Sequence, residues 1–145
     1  MARGYPDYFG QSIWPKYGTP IVTGGSSVPV AAGTTVTIVD IDSTGVLFAA
    51  SILTGTVGDY ASSYFSLYVD DQLFWRCFLY NAFLPPASEG MEGVMRVTME
   101  NRVAKYVHMA LSREIPFKDS VQMKVTNGSA SEIGAIPLAV HYIVT

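Results

Sequence analysis

Residues 64–80 read Tyr64-Phe65-Ser66-Leu67-Tyr68-Val69-Asp70-Asp71-Gln72-Leu73-Phe74-Trp75-Arg76-Cys77-Phe78-Leu79-Tyr80, and this stretch decides the fold class. Phe65, Leu67 and Val69 alternate with Tyr64, Ser66 and Tyr68. A period of two is that of a strand with one buried face. Asp70-Asp71 falls between two aromatic-rich runs, where residues that tolerate left-handed backbone make a tight hairpin. Beyond the turn, Cys77 shares a face with Trp75 and Leu79, opposite Arg76. That setting predicts a buried structural thiol. A nucleophile would need an accessible, electropositive site and a histidine partner. Tyr64, Tyr68, Phe74, Phe78 and Tyr80 line one face of the expected hairpin.

The same period runs outward from this hairpin. Val121, Met123 and Val125 alternate with Gln122, Lys124 and Thr126, and Ile136, Leu138, Val140, Tyr142 and Val144 continue the pattern at the end of the chain. Val121, Met123, Val125, Leu138, Val140 and Tyr142 are therefore expected to face inward. Gly45–Leu53 is a continuous apolar run, consistent with a strand buried on both faces, and Thr34–Val39 is rich in β-branched residues. Asn127-Gly128 is the strongest two-residue turn signal, and Gly24-Gly25-Ser26-Ser27, Pro85-Pro86 and Gly90 mark loops. The count is about eight short strands and no helix of about ten or more residues. The fold class expected is all-β: an antiparallel β-sandwich of jelly-roll type over residues 21–145.

Residues 1–20 differ from the rest. Pro6, Pro15 and Pro20 with Gly4, Gly10 and Gly18 disfavour helix, yet Tyr5, Tyr8, Phe9, Trp14 and Tyr17 are unusually many rings for a solvated tail. The segment is expected to be an extended arm whose rings dock in grooves, either on a neighbouring molecule or on its own domain.

Composition narrows the function. Only 14% of the 145 residues are charged, against 49% hydrophobic, and ordinary soluble chains carry about 25% charge. With a mean hydropathy of +0.26, part of the surface is expected to be shared with neighbours. The net charge of −3 argues against a nucleic-acid partner, which calls for a basic domain. The seven basic residues of the second half are interspersed with six acidic ones, a pattern of interface pairs. No apolar run reaches the roughly 18 residues of a membrane-spanning helix, and the first residues lack the apolar core of a signal peptide. A single cysteine rules out an internal disulfide framework and a cysteine-based zinc site.

Three constellations imitate chemistry. Thr35-Val36-Thr37-Ile38-Val39-Asp40-Ile41-Asp42-Ser43-Thr44 resembles the first motif of the haloacid-dehalogenase phosphatases. That family places its aspartates at the carboxyl ends of parallel strands joined by helices, which this chain does not predict. Asp40, Asp42 and Gly45 also match the start of an EF-hand loop, but its twelfth position is Ser51 where a bidentate glutamate is needed. His108 and His141 stand 33 residues apart, without metal-ligand spacing. No catalytic residue, cofactor or metal is therefore assigned, and the chain is not expected to be an enzyme.

Phe65–Leu73 resembles the central hairpin of small jelly-roll modules in tailed-phage virion proteins. Ile115-Pro116-Phe117-Lys118-Asp119-Ser120-Val121-Gln122-Met123-Lys124-Val125-Thr126-Asn127 resembles the edge that follows it, and Ile136–Val144 would be the closing strand. The resemblance covers roughly residues 34–145. It implies a non-enzymatic structural protein of the virion: a capsid decoration protein, expected as a homotrimer bound to the major capsid protein. A neck or tail module is the alternative. Neither nucleic acid nor membrane is an expected partner. Tyr5, Tyr8, Phe9, Trp14 and Tyr17 are the expected arm anchors, and Tyr64, Tyr68 and Phe74 the expected interface aromatics. The rival reading is a carbohydrate-binding module that stacks sugars on the aromatic face near Tyr68.

Overall fold

The structure, a computed structural model, describes residues 19–26, 28–53, 62–78, 94–101 and 106–145. Among them the chain forms ten strands and no helix. The first five are β1 (Thr19–Ser26), β2 (Thr35–Asp42), β3 (Gly45–Leu53), β4 (Tyr64–Val69) and β5 (Gln72–Phe78). The others are β6 (Met95–Asn101), β7 (Tyr106–Leu111), β8 (Ile115–Phe117), β9 (Ser120–Thr126) and β10 (Pro137–Val144). The number exceeds the expected eight partly because β8 is three residues long, too short to show a period. The arm anchors Tyr5, Tyr8, Phe9, Trp14 and Tyr17 lie outside the described residues.

All pairings are antiparallel. One sheet runs β1-β10-β3-β7-β6, with β8 also paired to β3, and the other runs β2-β9-β4-β5. Both contribute to one core, so the molecule is a β-sandwich. Phe65, Leu67, Val121, Met123 and Val125 from the four-stranded sheet share it with Leu47, Ile52, Met109 and Val140 from the other. The expected inward set holds: Val121, Met123, Val125 and Val140 are buried, while Leu138 and Tyr142 pack partly buried against them.

Two expectations change. Gly45–Leu53 is not buried on both faces: burial alternates along most of β3, leaving Val46, Phe48, Ala49, Ser51 and Leu53 half-buried. Small and apolar outward residues hid the alternation from a hydropathy reading. Gly24 and Gly25 belong to β1 rather than to a loop. An outermost strand tolerates glycine better than a central one, because it packs against fewer neighbours. Gly45 is needed for a different reason. A Cβ there would strike the carbonyl oxygen of Ile143, so β10 can pass close only over glycine.

Candidate interaction face

The β4–β5 hairpin forms as its sequence predicts. Val69 pairs with Gln72 across a two-residue turn, and Asp70 and Asp71 take φ of 51° and 63°. Positive φ at both central residues is the type I′ geometry that suits the twist of a hairpin. The register slips between Leu67 and Tyr68, which leaves Phe74 as an extra residue in β5. That bulge has a consequence for the surface. Leu73 has the sequence parity of the buried Trp75 and Cys77, yet it lies opposite Tyr68 and is 49% exposed.

The outward face of the four-stranded sheet thus gathers rings. Tyr64 and Tyr68 are half-buried, and Phe74 and Phe78 are exposed. Tyr64 and Phe78 lie opposite one another, with ring centroids 5.0 Å apart at 55°. Each expected interface aromatic carries a cation. The Arg76 guanidinium lies 4.4 Å from the Tyr64 centroid, the Lys124 ammonium 4.8 Å from Tyr68, and the Arg113 guanidinium 5.7 Å from Phe74. These distances lie within cation–π range. Arg76 also donates from Nε to Ser66 Oγ at 3.2 Å, and Ser66 is buried although its side chain points outward. Tyr80 lies outside the described residues.

The cation that sequence reading could not place on its ring is Lys124. Lys124 meets Tyr68 only because β9 pairs with β4, putting Tyr68 opposite Gln122 and Ser66 opposite Lys124. Those partners are more than fifty residues apart in the chain. The alternation of Lys124 with Met123 and Val125 did place it on the solvent side.

The turn is fixed from below. Asp70 accepts hydrogen bonds from the backbone N–H groups of Lys118, Asp119 and Ser120, at 3.0, 2.7 and 3.1 Å from Oδ1. Its own N–H donates to Ser120 O at 2.9 Å. The amides of Asp119 and Ser120, ahead of the amide and charge of Lys118, hold its carboxyl below the ordinary aspartate value. The Ile115-Pro116-Phe117-Lys118-Asp119-Ser120 edge is thereby tied to the hairpin tip.

A second polar cluster lies at the far end of β9. Asn127 is buried. It donates from Nδ2 to Val30 O at 2.9 Å and to Ser131 O at 2.7 Å. Its Oδ1 accepts from Ser129 N–H at 2.9 Å and from Ser129 Oγ at 2.7 Å. Asn127-Gly128 is not a two-residue hairpin turn, because β9 and β10 belong to different sheets. The chain instead crosses the end of the sandwich, and the asparagine pins the crossing.

The remaining candidates do not converge. Asp40 and Asp42 are exposed on β2, an outermost strand antiparallel to β9, where Asp40 accepts from Gln122 Nε2 at 3.0 Å. The dehalogenase motif requires a parallel setting that β2 lacks. His141 packs edge-on to Phe48 at 6.0 Å, and His108 lies on β7. No group of three metal-ligating side chains occurs among the described residues. Cys77 is buried, and burial pushes its thiol up to about 12, where it is inert as a nucleophile. Neither a protein-family model nor a curated protein matches the chain.

Proposed function

We propose that the chain is a non-enzymatic structural protein of a tailed-phage virion, a head decoration protein that binds the capsid lattice as a homotrimer. The pairing order is the observation that carries this reading. With β6 and β8 set aside, eight strands remain, and they pair first with last, second with seventh, third with sixth and fourth with fifth: β1–β10, β2–β9, β3–β7 and β4–β5. That nesting is what folding a long hairpin into two Greek keys produces, the plan of a jelly roll, and viral capsid domains use it. The two segments that resemble phage modules also meet, through Asp70 and the amides of Lys118, Asp119 and Ser120.

Lectin domains share the jelly-roll plan, so the aromatic face is where the rival reading must be judged. Sugar stacking needs an open ring face. Tyr64, Tyr68 and Phe74 each have one face engaged by a cation, which suits a protein interface rich in aromatics and arginine better. Light scattering combined with a glycan-binding screen tests the assignment. A trimer that retains no glycan is the expected result. A monomer that binds sugars, and loses them in Tyr68→Ala, overturns it.

A further inference from the structure

A groove opens where the outermost strands of the two sheets meet. It has a volume of about 360 Å³ and is lined by Thr23, Gly24 and Gly25 of β1, by Val28, by Val36, Thr37 and Ile38 of β2, and by Leu138. Val28 is 64% exposed, and Val22, on β1, is 65% exposed. Among the described residues β1 has a strand only on its β10 side and β2 only on its β9 side. Gly24 and Gly25 bring no side chains, so the β1 wall beyond Thr23 is peptide backbone, and the β2 wall sets Val36 and Ile38 beside Thr37. An extended peptide fits such walls: it adds main-chain hydrogen bonds to an outer strand and sets alternate side chains in the apolar trough.

We propose that this groove receives residues 1–18 of a second copy of the chain. The proposal rests on the reading of the protein as an oligomer, but not on its belonging to a virion. The segment joins the fold at Thr19, the start of β1. Gly25 lies six residues further on, about 20 Å of strand away, at the opposite end. The prolines at 15 and 20 bias Trp14 and Thr19 to extended backbone. The described chain thus begins at the end of β1 remote from the groove, and 18 residues extend up to about 60 Å, ample to reach a neighbour. Its five rings among 17 residues supply the apolar matter the trough needs. Exchanged arms link copies into an assembly, since each copy both gives and receives one, and a rotation that closes makes it a ring.

Cross-linking in the full chain tests this. One preparation carries Val28→Cys and the other Ser12→Cys or Lys16→Cys, which keep all five rings. The two are co-expressed with different tags and treated with a short bifunctional thiol reagent. Cys77, buried and with a raised thiol pKa, stays out of the reaction. The expected product joins the two tags. An oligomer that yields none from either arm position overturns the proposal while leaving the oligomer intact. Linkage only within single copies, in a chain carrying both cysteines, overturns it in favour of self-docking. A monomer in light scattering overturns the oligomer reading itself. A second measurement uses Val28→Asp, which puts a charge at the trough and should weaken association about tenfold or more with unchanged circular dichroism. Unchanged association counts against the proposal.

Discussion

Two corners of the four-stranded sheet do similar work by different chemistry. At the hairpin tip, Asp70 is a charged side chain in solvent reach, and the amides of Lys118, Asp119 and Ser120 fill its carboxylate. At the end of β9, Asn127 is neutral and buried, with partners on both Nδ2 and Oδ1. Each ties a strand end to a distant segment. The charged corner gains from Coulomb attraction, but water screens it and protonation removes it. The neutral corner is indifferent to salt and acid, yet its partners Val30 and Ser129 are buried, away from water that could replace it. The hairpin tip is therefore an adjustable join, and the crossing at Asn127 is a fixed one.

The largest effect should come from breaking the fixed corner. Asn127→Ala leaves the buried Ser129 N–H without its acceptor and takes one of two donors from the carbonyls of Val30 and Ser131, which keep the N–H of Ile133 and the hydroxyl of Ser129. At about 1–3 kcal/mol for the stranded donor and about 0.5–1.5 kcal/mol for each further hydrogen bond lost, the loss should be about 3 kcal/mol, read from urea unfolding. A loss under about 1 kcal/mol would mean that water replaces the amide, and that the corner is not sealed.

Gly128→Ala comes next. The added Cβ would fall on the carbonyl oxygen of Ser62, and Gly128 N–H donates to Ser63 Oγ at 3.2 Å. The backbone must shift at a place held from two sides, which costs about 1–3 kcal/mol, as overpacking does. The same denaturation measurement decides it. A neutral result would show that residues 62–63 move freely against residues 127–128.

Asp70→Asn should be milder and depend on pH. The folded carboxyl lies below its ordinary value of 3.8. Its contribution is therefore complete above that value and fades as pH falls through the folded pKa. Wild type should melt above the variant at neutral pH, and the two curves should converge in acid. Salt should narrow the gap as well, since the group is solvent-exposed. A gap that persists unchanged at low pH would assign the effect to turn geometry instead of charge.

The turn at Asp70-Asp71, the inward set on β9 and β10 and the all-β class were legible because each depends on residues a few positions apart. Alternation and turn propensity are local. What stayed hidden was long-range. Nothing near Asp70 reveals that the amides of 118–120 will cradle it, and Asn127-Gly128 carries hairpin chemistry while joining different sheets. The aromatic face was legible in Tyr64, Tyr68 and Phe74, but not Lys124 on Tyr68, because β9 reaches β4 only through the topology. The bulge at Phe74 left no trace in the residue pattern, since Leu73 reads as an inward residue.

The smallest expected effect separates the two residues of the hairpin tip. Asp71 has φ of 63° and is exposed. Left-handed backbone strains a residue with a Cβ by about 1–2 kcal/mol, less for aspartate, whose short polar chain tolerates it. Asp71→Gly relieves that strain and suits a type I′ turn. It also loosens the unfolded chain, which costs about 0.4–1 kcal/mol. The two terms nearly cancel, so the net change should be a gain of at most about 0.5 kcal/mol. Asp70→Gly relieves similar strain but empties the cradle of Lys118, Asp119 and Ser120, so it should melt below Asp71→Gly at neutral pH and approach it in acid. Equal melting temperatures for the two glycine variants at neutral pH would show that the cradle adds nothing and that the tip is held by its turn alone.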